Sequence, residues 1–194
     1  MDQGYKERER RYVALFEAHY RQVLAYALRR ADNASDAEEV AAETFTVVWR
    51  RLDDVPNGDD ALLWIYGVAR LVLSNSRRSR RRRRFLEDKL ASLPVERVEF
   101  EDTVSGLVDR QAVRDALSRL KPHDQELLRL VAWEGLSHRQ VAQMLGCTEN
   151  AVAIRLHRAR ERLAAEMAKD ARRNGQKRNR EEPPTPDPGG EDHH

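Results

Sequence analysis

The residues best suited to a specific chemical task lie within positions 135–163. Ser137 followed three residues later by Gln140 is the pattern of a capping box, which starts a helix. Gly146 permits a tight turn with positive φ, and Thr148 can cap a second helix directly after it. Two short helices joined in this way are typical of a helix-turn-helix, whose second helix enters the major groove of duplex DNA.

The second helix of this pair has two distinct sides. Its apolar stripe, spaced four, three and four residues apart, predicts the buried side: Val152, Leu156, Ala159 and Leu163. The predicted DNA-binding residues are the opposite side and its flanks, namely Arg139, Thr148, Glu149, Asn150, Ala153, Ile154, Arg155, His157 and Arg158. We expect base hydrogen bonds from Thr148, Asn150 or His157, with Ala153 and Ile154 against thymine methyl groups.

The residues alone also allow interpretations of this segment that do not involve DNA binding. An ordinary helical hairpin would show the same caps and the same glycine. A lone histidine such as His157 on an exposed helix face is more often a polar surface residue than a base reader. Cys147 at the turn is better explained as a small packing residue than as a redox sensor, because no second cysteine can form a disulfide with it.

A second feature is the arginine run that begins at Arg77. Arg77, Arg78 and Arg80–Arg84 place seven arginines in eight positions. Such a run predicts a polyanionic partner, and it does not separate DNA from RNA or acidic lipid. The alternative is a solvated helix end or a basic linker.

The net charge of +2 hides strong local differences. Residues 32–60 carry nine acids and two arginines, whereas residues 61–84 carry eight arginines and no acid. Residues 85–126 are again acidic and residues 137–163 are again basic. This alternation predicts at least two surfaces with partners of opposite charge.

Several classes of protein are disfavoured by the composition. With Cys147 as the single cysteine, neither a disulfide within the chain nor a cysteine zinc cluster is expected. The longest apolar run has nine residues, 61–69, about half of what a membrane span needs, and the first residues lack a signal-peptide pattern. No phosphate-binding glycine loop, catalytic triad or HExxH motif is evident. We therefore expect a cytoplasmic protein that is not an enzyme and has no membrane insertion, cofactor or metal.

The helices that position these residues follow from periodicity and turn signals. We expect an all-α protein with two small helical domains joined by a flexible acidic linker, the C-terminal one containing the helix-turn-helix. The first domain would hold helices at about 12–30, 36–52 and 61–84, with Ser35 or Asp36 capping the second. The expected divisions are an N-terminal extension 1–11, domains 12–84 and 109–168, the linker 85–108, and a disordered tail 169–194.

The order of these parts resembles the extracytoplasmic-function (ECF) class of bacterial sigma factors, the promoter-recognition subunits of RNA polymerase. DAEEVAAETFTVVWRRL at 36–52 and the stretch 117–163 are the specific matches, accompanied by 16–31 and 64–80. In this family, 12–84 would be sigma domain two and 109–168 sigma domain four.

The resemblance implies partners and a role for each site. The core RNA polymerase would be bound through the clamp helices of its largest subunit and the flap of its second-largest subunit. The residues that would dock on the clamp helices are Asp36, Glu38, Glu39, Glu43 and Trp49. The helix-turn-helix would read the −35 element of promoter DNA as duplex, and an anti-sigma factor is an expected further partner.

The resemblance also implies that the third helix and the 53–60 loop read the −10 element as a melted strand. The corresponding residues are Asn57, Arg70, Leu71, Asn75, Arg77 and Arg78. Two positions depart from the family pattern. Leu71 stands where a strand-contacting asparagine is usual, and Ala153-Ile154 replace a basic and a small polar residue. The alternative function is an autonomous helix-turn-helix regulator that binds operator DNA without polymerase.

Overall fold

The computed structural model describes residues 2–87 and 110–181, with side chains described for 3–79 and 112–173. These residues form seven α-helices and one short 3-10 helix, and no strand occurs among them. The chain divides into two compact units, Met1–Val104 and Ser105–His194. The all-α class is confirmed. Most of the expected linker, 88–109, and the last residues, 182–194, lie outside the described residues.

The first unit is a bundle of three helices. They are α1 (Asp2–Leu28), α2 (Ala34–Arg50) and α3 (Asp60–Glu87), and each packs on the other two. A 3-10 helix, Leu52–Asp54, follows α2 and leads into the 53–60 loop. Fully buried side chains from all three helices fill the core, among them Val23, Tyr26, Phe45, Val48 and Ile65.

The helix boundaries of this unit differ from the predicted ones. The helix α1 begins at Asp2, about ten residues earlier than expected. The early turns carry few apolar residues, so no hydrophobic period marked them as helical. The N-cap of α2 is Asn33, whose side chain accepts a hydrogen bond from the backbone N–H of Asp36 at 2.8 Å. The expected caps were therefore wrong, because Ser35 and Asp36 lie inside the first turn that Asn33 closes.

The second unit contains four helices. They are α4 (Arg110–Ser118), α5 (Pro122–Ala132), α6 (His138–Leu145) and α7 (Glu149–Glu181). The helix α7 packs on each of the other three. The most buried large aliphatic residues of the second unit are Leu130, Val141, Val152 and Leu156. Because one side of α7 is buried in this core, the opposite side of the helix is held towards solvent.

The helix α7 continues well beyond the expected end of the domain. The prediction of a disordered tail from residue 169 is wrong for 169–181, because α7 ends at Glu181. This stretch is rich in long charged residues, which favour helix, and it lacks proline. Arg119, just after α4, also pairs with Glu166 and with Asp170 on α7.

Candidate nucleic-acid interfaces

The helix-turn-helix of the second unit forms through the local hydrogen bonds that the sequence predicted. Oγ of Ser137 accepts the backbone N–H of Gln140, and the Gln140 side chain accepts the backbone N–H of Ser137 at 2.9 Å. Gly146 ends α6 in the left-handed region, with φ of 64°. Oγ1 of Thr148 accepts the backbone N–H of Ala151 at 3.2 Å. The two helices and the turn between them are therefore fixed by short-range contacts.

The two sides of α7 are separated as expected in its first three turns. Val152, Leu156 and Ala159 are at most 1% exposed. Leu163, the last residue of the stripe, is only half-buried. The predicted DNA-binding residues are exposed except Ala153, which is half-buried. Ile154 leaves 46% of its surface exposed.

Two side-chain contacts lie beside this surface. Asp124 on α5 is 2% exposed, and its carboxylate lies 2.6 Å from the guanidinium of Arg162 on α7. This pair ties α7 to α5. Nε2 of His157 lies 3.3 Å from the Glu161 carboxylate one turn later, so this histidine already has a partner on its own helix. Cys147 is half-buried at the turn, which agrees with a packing role.

In the first unit, the 53–60 loop is held by two arginines of α1. The Arg8 guanidinium lies 2.6 Å from the Asp53 carboxylate. The Arg11 guanidinium donates to the backbone carbonyl of Val55 at 2.6 Å and to Oδ1 of Asn57 at 3.1 Å. We call these contacts the Arg8–Arg11 brace. Sequence reasoning missed it, because the bonded residues are 44 to 46 positions apart and both arginines lie in a segment taken for an extension.

Four of the predicted −10 residues lie on one side of α3. Arg70, Leu71, Asn75 and Arg78 are exposed and fall within about half the circumference of the helix, at 100° per residue. Leu71 is 61% exposed, the largest exposure among the large hydrophobic residues that the structure describes. An apolar side chain beside two arginines and an amide can contact a base face while its neighbours bind phosphate.

Arg77 is placed differently from its neighbours. Its guanidinium donates to the backbone carbonyl of Arg30 at 2.6 Å, so it joins α3 to the end of α1. Arg30 is itself 5% exposed, with its guanidinium 3.6 Å from the centre of the Tyr26 ring. The structure thus gives Arg77 a contact within the unit. The side chains of Arg80–Arg84 lie outside the described ones.

The predicted docking residues of α2 fall into two groups. Glu38, Glu39 and Glu43 are exposed, and Asp36 is half-buried in the first turn. Trp49 instead packs beneath α1, with its ring centre 5.2 Å from that of Tyr12. The structure therefore brings the acids to the surface and places Trp49 in an aromatic cluster with α1.

That aromatic cluster runs along the contact between α1 and α2. Its members are Tyr5, Tyr12, Phe16, Tyr20, Phe45 and Trp49. Burial raises the pKa of the Tyr12 hydroxyl above its usual value. The cluster explains why α1 extends to Asp2, since its early turns cover Trp49.

Two further kinds of site are absent from the described segments. None of their helices is long and apolar enough to cross a membrane. No group of three or more histidine, cysteine, aspartate or glutamate side chains in those segments is arranged to hold a metal ion.

Comparison with known families assigns both units. A family described as "Sigma-70 region 2" matches residues 15–83, and "Sigma-70, region 4" matches residues 110–163. The ECF sigma factor SigL of Mycobacterium tuberculosis is 32% identical over 149 residues, which cover 75% of this chain and 82% of SigL. The chain is an ECF sigma factor. It has the family's role in promoter-directed transcription, which is regulatory and not enzymatic.

Other relatives agree with this assignment. The sigma factor YlaC of Bacillus subtilis is 27% identical over 159 residues, covering 80% of this chain and 91% of YlaC. Among solved structures, RpoE of Bartonella quintana, in complex with the anti-sigma factor NepR, has a TM-score of 0.62 at 23% identity. That likeness covers 87% of this sigma factor and 98% of RpoE, and it concerns the fold.

Proposed function

We propose that this sigma factor binds core RNA polymerase and reads two promoter elements with its two units. The helix-turn-helix reads the −35 element as duplex DNA. The 53–60 loop and the exposed side of α3 read the −10 element as a melted strand. The observation that carries this proposal is that each unit matches a sigma region and exposes its own set of polar and basic side chains.

The chemistry of α7 supports duplex reading. Its first turns present Asn150 and Arg158, which form hydrogen bonds with base edges in the major groove. Arg155 flanks them and suits phosphate contact. The exposed Ile154 offers an apolar contact for thymine methyl groups. Because the helix is fixed by its core on the opposite side, these side chains approach DNA in one register.

The chemistry of the first unit supports strand reading. Leu71 and Asn75 lie beside Arg70 and Arg78 on α3, so an apolar contact and an amide stand next to two phosphate-binding groups. A melted strand exposes base faces and base edges together, and this mixture of side chains binds both. Asn57 in the loop adds a second exposed amide.

The free energy of opening a promoter requires a larger partner than this chain alone. Opening about ten base-pair steps costs on the order of 14 kcal/mol at roughly 1.4 kcal/mol per step. Capturing two unstacked bases returns about 2–6 kcal/mol. The first unit therefore does not melt a promoter unaided, and the remaining free energy must come from polymerase contacts.

The acids of α2 are suited to that partner. Glu38, Glu39 and Glu43 are exposed along α2, where carboxylates complement a basic surface such as the clamp helices. Asp36 and the exposed edge of Trp49 would complete the contact, and the second unit would meet the flap of the second-largest subunit. A protein that makes these proposed contacts would work in the cytoplasm, where the polymerase is.

An anti-sigma factor is a further proposed partner. RpoE of Bartonella quintana is held by NepR, and CnrH has been solved with the cytosolic domain of CnrY. The fold of this chain resembles both, with TM-scores of 0.62 and 0.59. We expect a regulator of the same kind to sequester this sigma factor from polymerase.

Footprinting with and without polymerase tests the proposed function. The purified chain alone should protect duplex promoter DNA poorly, and adding core RNA polymerase should produce protection of both elements. Run-off transcription on genomic fragments would supply the promoters. Strong protection of an operator-like site without polymerase would instead favour the autonomous regulator and contradict this proposal.

A further inference from the structure

We propose that Arg11 is a positioning residue for the selection of a −10 base. It holds the side-chain amide of Asn57 so that the N–H groups of Asn57 are turned towards that base. This inference rests on the proposed function of the 53–60 loop. The positioning group belongs to the segment before residue 12, which neither the family match at 15–83 nor the sequence pattern includes in the site.

The geometry joins the two side chains through one guanidinium nitrogen. Nη2 of Arg11 donates to Oδ1 of Asn57 at 3.1 Å and to the backbone carbonyl of Val55 at 2.6 Å. The first bond sets the amide and the second holds the backbone two residues before it. Asn57 is exposed, whereas Arg11 is half-buried against the bundle. Arg11, the less exposed of the two, therefore orients the side chain of Asn57.

Hydrogen-bond chemistry makes this contact directional. A guanidinium has donors and no acceptor, so the amide atom that faces Arg11 must be the oxygen. The amide nitrogen then lies on the other arm of the group. Asn57 consequently turns its two N–H donors towards a ligand, while its oxygen faces Arg11 and has one of its two lone pairs engaged.

The Asn57 amide prefers different bases when Arg11 holds it and when it rotates freely. A free asparagine amide reads adenine through a donor and an acceptor together, as N6 and N7 require. An amide whose N–H groups are turned towards the strand favours edges that carry acceptors, such as O6 and N7 of guanine or the carbonyl oxygens of the pyrimidines. Arg11 therefore disfavours adenine at the position that Asn57 contacts.

Arg8 supplies a matched control within the same brace. It lies one helical turn before Arg11 and fixes the start of the same loop through Asp53, at 2.6 Å. It also donates to the backbone carbonyl of Trp49 at 3.4 Å. None of these contacts reaches the amide of Asn57. Arg8 thus shares the bracing role of Arg11 and lacks its directional contact.

The experiment measures base preference in the holoenzyme. Core RNA polymerase is loaded with the wild-type chain or with Arg11→Ala, Arg11→Lys, Arg8→Ala or Asn57→Ala, and each holoenzyme transcribes a library randomised at the −10 element. Sequencing of the transcripts gives the yield for each base. Arg11→Ala should raise the yield with adenine, relative to acceptor-edge bases, by about threefold to tenfold at one position, the worth of one hydrogen bond.

The controls separate orientation from general loosening. Arg11→Lys keeps a group that only donates and should retain most of the wild-type preference, whereas Arg8→Ala should change total yield more than preference. Equal shifts in Arg11→Ala and Arg8→Ala, or no rescue by lysine, would overturn the inference. If Asn57→Ala changes the preference and Arg11→Ala does not, only this inference fails. If Asn57→Ala changes no position, the proposed reading by the loop fails as well.

Discussion

The two surfaces proposed to bind DNA are built in different ways. On α7, the outward side chains stand on a helix whose opposite side is buried, with Val152 and Leu156 each 1% exposed. In the first unit, Asn57 and Arg77 are engaged in hydrogen bonds to α1 and to the residues just after it. The surface on α7 is positioned by a core, whereas the 53–60 loop and Arg77 of the first unit are positioned by polar contacts between distant segments.

This difference matches the state of the DNA that each surface is proposed to read. Duplex DNA has a regular groove, so a rigid helix with exposed side chains is sufficient. A melted strand has no fixed shape, so its reader must supply the order, and a loop tied by the Arg8–Arg11 brace does so. We therefore expect core substitutions to disable DNA reading by α7, and substitutions in the Arg8–Arg11 brace to disable reading by the 53–60 loop.

The largest effect is expected from Leu156→Ala, which removes a side chain that is 1% exposed. The cavity should destabilise the second unit by about 2–5 kcal/mol. Hydrogen exchange should then accelerate in α4–α7 and stay unchanged in α1–α3, because the chain divides into two compact units. Ile154→Ala on the same helix is the control. Its side chain is 46% exposed, so it should alter stability by less than about 0.5 kcal/mol.

The next effect concerns the proposed contact of α2 with polymerase. Replacing Glu39 and Glu43 with lysine should weaken binding to core polymerase by about tenfold per residue, on the order of 1.4 kcal/mol each. Both side chains are exposed, so the thermal stability should be unchanged. Glu17→Lys reverses an exposed acid on α1 and serves as the control. Equal affinities for all variants, measured by competition for core polymerase, would remove α2 from the interface.

A smaller effect is expected at the recognition helix. Arg158→Ala should cost about 1–3 kcal/mol in discrimination at one −35 base if the guanidinium contacts a base edge. A uniform loss across all sequences, together with a weaker salt dependence, would reassign Arg158 to a phosphate. Transcription from a library randomised at the −35 element distinguishes the two outcomes, with Arg172→Ala farther along α7 as the control.

The smallest effect concerns the charge contacts that hold α7 to α4. Hydrogen bonds from Lys169 and then Arg119 keep the pKa of Glu166 below its ordinary value, against the opposing effect of desolvation. A lowered pKa stabilises the fold above the ordinary value and ceases to do so as the pH falls through the folded-state value. Thermal unfolding should therefore show a small advantage of the wild type over Glu166→Gln near pH 6. That advantage should disappear in acid, and a constant difference would exclude this charge contribution.

The sequence predicted the second unit in more detail than the first, for a physical reason. The capping box, the turn at Gly146 and the cap at Thr148 are contacts between residues at most four apart, so the printed sequence displays them. The bonds of Arg11 to the 53–60 loop and of Arg77 to Arg30 span 44 to 47 positions. They depend on how the helices pack, and no local pattern indicates them.

Two boundary errors have the same origin. The start of α1 and the end of α7 are polar helical turns without an apolar period, and periodicity was the signal used to find helices. In both places, contacts with another helix accompany the extra turns, through Arg8 at one end and through Glu166 and Asp170 at the other. Polar segments next to a bundle therefore need a structure before they can be assigned as tails.

The central claim is that the two units read separate promoter elements, and one measurement tests it directly. Start sites and promoter preferences should be mapped by run-off transcription for holoenzymes carrying wild-type chain, Asn57→Ala or Arg158→Ala. The account predicts that Asn57→Ala changes preference only within the −10 element and Arg158→Ala only within the −35 element. Changes in the same element for both variants, or unchanged preferences in both, would contradict it.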